Sequence, residues 1–363
     1  MSWYMHTYFV GLAAVGYDAL WGSLVKNGTA TAFGAVKASG TLPDGNLLQK
    51  VYTKIPFLDQ FLLSPVIFYD ALLRDRNPVY RSLLVSLFST MQTTAFCTIA
   101  HGWLGGSPLW WNIIESLLWG VFNQSYGAAF VYPLYCFAHL HQLKNEGIKE
   151  KNMKKLSTED AEALLYTSIV AAVLPAWLIY PAFVSCSSET RQFLIASYRT
   201  TPTILALAQP VIAVLIKRCR RIPLDGSYIG PLVKGSLYLS GACSALGHLY
   251  ALATSLALAP VTLTGIFWPW TTSMDISSIS VIAQGCHLFL QNDWWVILAA
   301  FVPYASAILS SATCSRIPGK TLSTLSWADT QVCQLGKTFG GLAALAFVFS
   351  PGAVLAWTMA AKV

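Results

Sequence analysis

The sequence predicts an all-α protein: a polytopic transmembrane helical bundle of eight to nine spans, forming a single integral membrane domain over 1–363. Three observations predict it. Of the 363 residues, 55% are apolar and only 11% charged, against about 25% charged in an ordinary soluble domain. Apolar runs long enough to cross a hydrocarbon core of about 30 Å can be drawn at 3–25, 55–73, 82–104, 109–141, 160–184, 201–216, 232–258, 294–312 and 338–360. The only long polar segments are 26–54, rich in Gly, Thr and Ala, and the lysine-rich 142–158, and both read as loops.

The elements follow in order. No Lys or Arg precedes the first run and no A-x-A site follows it, so it reads as a retained span rather than a cleaved signal. The run 109–141 reads as one span whose only ionisable groups are Glu115 and, at its end, His139 and His141. Ser157, followed by Glu159 and Asp160, reads as the N-cap that starts the fifth span. Prolines 133, 175, 181, 210 and 303 fall inside spans, where neighbours must satisfy the freed carbonyls. Helices kinked in this way can frame a cavity. No internal repeat is visible.

Basic residues set the orientation. With nine spans, one side receives Arg74, Arg76 and Arg81, then Lys144, Lys149, Lys151, Lys154 and Lys155, then Lys217, Arg218, Arg220 and Arg221, then Arg316, Lys320 and Lys337. The other receives Lys26, Lys37, Lys50, Lys54, Arg191 and Arg199. The positive-inside rule places the richer side in the cytosol and the other in the lumen of the endoplasmic reticulum. Topology thus explains the net charge of +7, with the lipid bilayer as partner and no call for nucleic acid. The eight cysteines are dispersed without metal-ligand or C-x-x-C spacing, so no metal is expected. Helix packing is their ordinary role, with a lumenal Cys186–Cys286 disulfide as the sharper alternative. Asn27-Gly28-Thr29 is a candidate lumenal glycan acceptor.

Under this topology four acids collect at the lumenal end. Glu115 lies about 9 Å into its span at the helical rise, Asp293 opens the eighth span, Asp59 starts the second, and Asp275 lies in the connection before span eight. An ionisable residue inside a span is costly and by default functional. Glu115 has no capping or solvent role available there, and a neutral carboxyl group in an apolar site is what a proton donor needs. Asp293 serves equally well as a helix cap or a catalyst. Asp59 and Asp275 read as capping or surface residues. On one helix, Trp111, Asn112, Glu115 and Trp119 share a face, with Asn123 two turns further along it. His101, Asn123 and Gln124 are the other polar candidates for substrate binding. Trp103, Trp110, Trp111, Trp268, Trp270, Trp294 and Trp295 belong to the same end. They suit either an interfacial belt or a pocket whose ring faces stabilise cations. Gln92, Gln209 and His248 read as interhelical hydrogen-bonding groups.

Missing motifs narrow the chemistry. There is no D-D-x-x-D, no N-D-x-x-S-x-x-x-E, no Walker loop and no G-x-S-x-G. Acid chemistry without metal or cofactor on an apolar substrate remains, as does a small-molecule transporter, whose broken helices and buried acids look similar, or a non-catalytic scaffold. The segments ESLLWGVFNQSYGAAFVYPLY (115–135) and FLQND (289–293), together with the helix layout, resemble the fungal integral-membrane terpene cyclases of the ascofuranone, ascochlorin and macrophorin pathways. The resemblance implies an isomerase or lyase of meroterpenoid biosynthesis. Such an enzyme protonates a terminal epoxide or alkene of a farnesylated small molecule and lets the cation cyclise. Glu115 is expected as the acid, Asp293 as its partner or alternative, and Asn123 and Gln124 as orienting groups.

Overall fold

The computed structural model describes residues 3–146, 156–220, 225–269, 281–314 and 327–363, with side chains throughout except at 143–146, 311–314 and 327–337. Asp275, Trp270, Lys149, Lys151, Lys154, Lys155, Arg221, Arg316 and Lys320 lie outside the described residues. Within them the chain is helical, with one isolated bridge between Thr41 and Leu47 and no strand. Six helices are long and apolar enough to cross a membrane, fewer than the eight to nine runs drawn on the sequence.

In chain order the helices are α1 (Trp3–Lys26, with a π turn at Asp18–Gly22), α2 (Thr29–Ser39), α3 (Pro56–Leu73), α4 (Pro78–Gly105), α5 (Leu109–Tyr126) and α6 (Ala128–Glu146). There follow α7 (Thr158–Ile179), α8 (Ser188–Tyr198), α9 (Thr201–Cys219), α10 (Ile229–Ala257), α11 (Leu263–Phe267), α12 (Val281–Cys314), α13 (Trp327–Phe349) and α14 (Pro351–Lys362). The Ser157 side chain accepts from the Asp160 N–H and caps α7 as expected. Pro133, Pro175, Pro210 and Pro303 sit inside helices, and Pro181 lies in the short 3-10 turn after α7.

Packing corrects the sequence-derived layout at four places. The run 109–141 is not one span but two helices folded at Gly127, whose φ of +89 and ψ of 153 suit glycine alone. His101, near the end of α4, meets His139, near the end of α6, with ring centroids 3.3 Å apart. So α5 runs away from the end of α4 and α6 returns to it. We call these the His101 end and, around Gly127, the Asp293 end.

Secondly, α3 has both termini at the Asp293 end. Asp59, near its start, accepts from Tyr52 and Thr53 N–H groups in the preceding loop, so it secures that loop rather than capping the helix. Asp70, near its far end, accepts from Arg191 of α8 at 2.6 Å. The same loop reaches α8 through Gln49 and Gln192. The helix therefore lies across that end, and Arg74, Arg76 and Arg81 share it with Lys26 and Lys54 rather than facing them. Thirdly, 26–54 is not all loop, since α2 forms within it; Thr29 is fully buried and the Asn27 side-chain nitrogen is buried too, so this sequon is not open to a glycan.

Fourthly, 338–360 is broken at Ser350. Its Oγ caps α14 by accepting from the Ala353 N–H, and it meets Ser244, which meets Thr90 in the middle of α4. The Ser-Pro-Gly sequence is a helix-start signal, a cap followed by proline at the first helical position. From that buried turn α14 runs back to the His101 end, where Lys362 lies within electrostatic reach of His101. Gln92, Gln209 and His248 make the interhelical bonds expected of them, to Tyr198, Thr167 and Ser86 at 2.6, 2.8 and 2.8 Å. Cys186 and Cys286 are both free.

Candidate active site

A cavity of about 880 Å³ opens at the Asp293 end, between α1, α2, α3, α4, α5, α8, α9 and α12. That is within the range of ligand pockets, roughly 300–1,000 Å³. Its walls are mainly apolar, with the aromatic rings of Trp21, Phe33, Phe61, Phe68, Tyr69, Phe88 and Phe289 among them. The π turn in α1 contributes Trp21, whose indole N–H donates to the Tyr126 carbonyl at 3.0 Å and ties α1 to the end of α5. The transverse α3 supplies residues 57 to 69 on one side and so roofs the chamber.

Asp293 is the single acidic residue on this lining, and it is 1% exposed. It does not open its own helix, since α12 starts twelve residues earlier at Val281. Its Oδ1 accepts from the Ala129 N–H at 2.6 Å, and the carboxyl group also faces the Ala128 N–H. The start of α6 has no polar capping residue of its own, and its free N–H groups need a partner in an apolar surrounding. Asp293 is thus a cap, but for a neighbouring helix. Gly127 makes this approach possible: a Cβ there would come within 2.5 Å of Leu20 and 3.1 Å of Phe289.

Around the acid the walls carry ordered polar groups. Asn123 donates to the Tyr132 hydroxyl at 3.1 Å, and that hydroxyl donates to the Met91 carbonyl. Gln124 donates to Thr201 Oγ1 at 3.0 Å. Arg199 donates to the Gln124 backbone carbonyl at 2.6 Å, and Lys37 donates to Ser64 Oγ at 2.6 Å. Asn123 and Gln124 line the same cavity as Asp293.

The remaining candidates do not share this chamber. Glu115, Trp111, Asn112, Trp119 and His101 are absent from its lining. Glu115 lies in the second turn of α5, near the His101 end, about 16 Å of helix axis from Tyr126. The expected gathering of acids at one end therefore fails, because the fold at Gly127 puts the two halves of 109–141 side by side. Glu115 hydrogen-bonds Trp111 and Trp119, its neighbours at i−4 and i+4. Trp119 packs edge-on against Tyr135 at 5.5 Å, and Tyr135 stacks on His139. Asn112 is 4% exposed, donates to the Ser107 carbonyl and presses against Gly102, which holds the α4–α5 turn. The tryptophans divide likewise: Trp103, Trp110 and Trp111 lie at the His101 end, whereas Trp268, Trp294 and Trp295 cluster at the other with Phe267.

Sequence reasoning missed Lys37, Arg199, Tyr69 and Trp21 as cavity residues. Lys37 and Arg199 entered only as topology markers. One signal was available for Asp293: a helix starting Gly-Ala-Ala after a long apolar run needs an external acceptor.

The family model of the CtvD domain matches residues 5–360. The terpene cyclase alnG of Emericella nidulans is 35% identical over 334 residues, covering 85% of this chain and 86% of that protein. The terpene cyclase DEP1 of Fusarium langsethiae is 26% identical, covering 82% and 84%, and DEP1 of Alternaria brassicicola is 24% identical, covering 84% and 85%. No solved structure matches. A match that runs through nearly every helix described above is a match of the whole bundle, and this chain belongs to the CtvD domain family, with fungal terpene cyclases as its relatives.

Proposed function

We propose that the chain is a membrane-embedded terpene cyclase that folds a prenylated small molecule, carrying a farnesyl-type tail, into the cavity beneath α3 and starts ring closure with a proton from Asp293. The observation that carries this reading is the placement of one carboxyl group on an aromatic chamber of suitable size. In its neutral form Asp293 transfers its proton to the oxygen of a terminal epoxide, or to the less substituted carbon of the terminal alkene, which leaves a tertiary cation. The C–O bond opens, or the π bond is spent, and the next alkene closes on the cation. The N–H groups of Ala128 and Ala129 face the carboxylate left behind and stabilise it. Ring faces of Phe61, Phe68, Phe88 and Trp21 support the migrating charge. The carboxylate takes a proton back from the final cation, so the net change is an isomerisation. Asn123 and Gln124 orient the substrate, and no metal or cofactor is needed for these steps.

The same proposal covers the membrane. Helices α1, α4, α5, α6, α7, α9, α10 and α12 cross it, which makes eight spans, while α3 lies along one face and α13 with α14 form a re-entrant hairpin. The His101 end faces the cytosol, since α6, α9 and α12, the helices that precede the lysine- and arginine-rich connections of the sequence, all end there. The match over 5–360 supports a single domain. Residence in the endoplasmic reticulum is checked by imaging a tagged chain against a resident marker.

The deciding experiment incubates membranes carrying the protein with a farnesylated phenol and, separately, its terminal epoxide. Cyclised product of unchanged mass from either is expected. Recovery of both substrates intact would remove the cyclase reading.

A further inference from the structure

The cavity holds two cations that no carboxylate answers. Arg199 and Lys37 both line it, and among the described residues neither lies within 4.0 Å of an Asp or Glu oxygen. Among the described residues Arg81, which lies off this chamber over the Phe183 ring, also has no ion pair, but other shielded arginines of this fold are paired. Arg191, one helix away, holds Asp70 at 2.6 Å and Asp44 at 3.8 Å, and Arg220 holds Glu162. Arg199 instead packs its guanidinium 5.6 Å over the Phe61 ring and leaves its Nε buried without a hydrogen-bond partner. An uncompensated guanidinium shielded from water is costly, and a planar fork of donors is suited to an oxygen anion. The Tyr69 hydroxyl is within electrostatic reach of both Arg199 and Asp293. Cation and acid therefore occupy two stations of one chamber.

We infer that the substrate carries an anionic oxygen head, a carboxylate or an acidic phenolate or enolate, which Arg199 and Lys37 hold while the prenyl tail lies along the aromatic wall toward Asp293. This rests on reading the cavity as the cyclase site and narrows its substrates: purely hydrocarbon terpenes lack the group that Arg199 and Lys37 are placed to meet. The phosphate of an anionic lipid offers the same chemistry, and the test separates the two.

The full chain in neutral phosphatidylcholine nanodiscs is titrated calorimetrically with a farnesylated dihydroxybenzoic acid and with its methyl ester. The acid should bind about tenfold or more tightly than the ester, the size of one charge-assisted bond. Arg199→Gln and Lys37→Gln should each shrink that preference by weakening the acid while leaving the ester unchanged, and Arg199→Lys should keep part of it. Equal binding of acid and ester by the unmodified chain would overturn the inference, as would a preference untouched by both variants. The unmodified chain and Lys37→Gln decide the matter if Arg199→Gln does not fold. Nanodiscs containing phosphatidylglycerol supply the lipid arm: a preference that persists assigns the cations to the substrate head, and one that vanishes assigns them to lipid and overturns the inference. Because binding is read without turnover, the readings separate. Acid preference without any cyclisation would sink the cyclase assignment and leave the anion site, and cyclisation without preference would do the reverse.

Discussion

The two ends of the bundle carry similar residues and do different things with them. At the His101 end a carboxyl group, Glu115, sits among Trp111, Trp119 and Tyr135, held by the two indole N–H groups of its own helix. At the other end Asp293 also sits among aromatic rings, but it borders a cavity of about 880 Å³ and its acceptor capacity is taken up by another helix. An acid among aromatic rings is therefore common to both ends. What sets Asp293 apart is full burial on the wall of this cavity and contact with N–H groups of another helix, and both are products of helix packing.

The largest expected effect tests that difference directly. Asp293→Asn keeps the acceptor for α6 but removes the transferable proton, so turnover should fall by about 100-fold or more with yield unchanged. Chromatographic assay of ring product at matched expression reads it. A variant that cyclises normally would move the chemistry away from this end. Glu115→Gln is the mirror experiment: turnover within a few-fold of the parent is expected, and a loss as large as that of Asp293→Asn would reverse the comparison.

The joint between the ends comes next. Gly127→Ala must adopt a backbone conformation that costs of order 1–3 kcal/mol for a side-chain-bearing residue and must push Leu20 and Phe289 aside. Its thermal midpoint in detergent should drop clearly, and an unchanged midpoint would contradict the folded-back geometry of α5 and α6. The smallest effect concerns the loop that precedes α3. Partial burial alone would raise Asp44, but hydrogen bonds from Asn46 and the charges of Arg74 and Arg191 outweigh it and hold its carboxyl below the ordinary value of 3.8. A carboxyl held low in the folded state contributes stability that is complete above its unfolded value and is lost as pH falls through the folded one. Asp44→Asn should therefore lower the midpoint slightly at pH 6 and make no difference well below pH 3. An equal loss at both values would show that packing, not charge, is what Asp44 supplies.

By itself the sequence determined the class of molecule. Its low charge and continuous apolar runs of about twenty residues predict helices able to span a bilayer rather than the alternating strands of a barrel. Local signals also placed the Ser157 cap and the interhelical roles of Gln92, Gln209 and His248, since these depend on neighbours within a turn or on polar groups having nowhere else to bond. Asn123 and Gln124, read as polar groups inside a span, line the cavity. Hydropathy could not decide where a long apolar run turns back on itself. A run of 33 residues serves equally as one long span or two short ones, and only the contact of His101 with His139 shows which. That single fold changed which end each later residue occupies, parted Glu115 from Asp293, and brought Lys37, Trp21 and Arg199 around one acid. A cavity is made by side chains from eight helices far apart in the chain, and its position is a property of their packing alone.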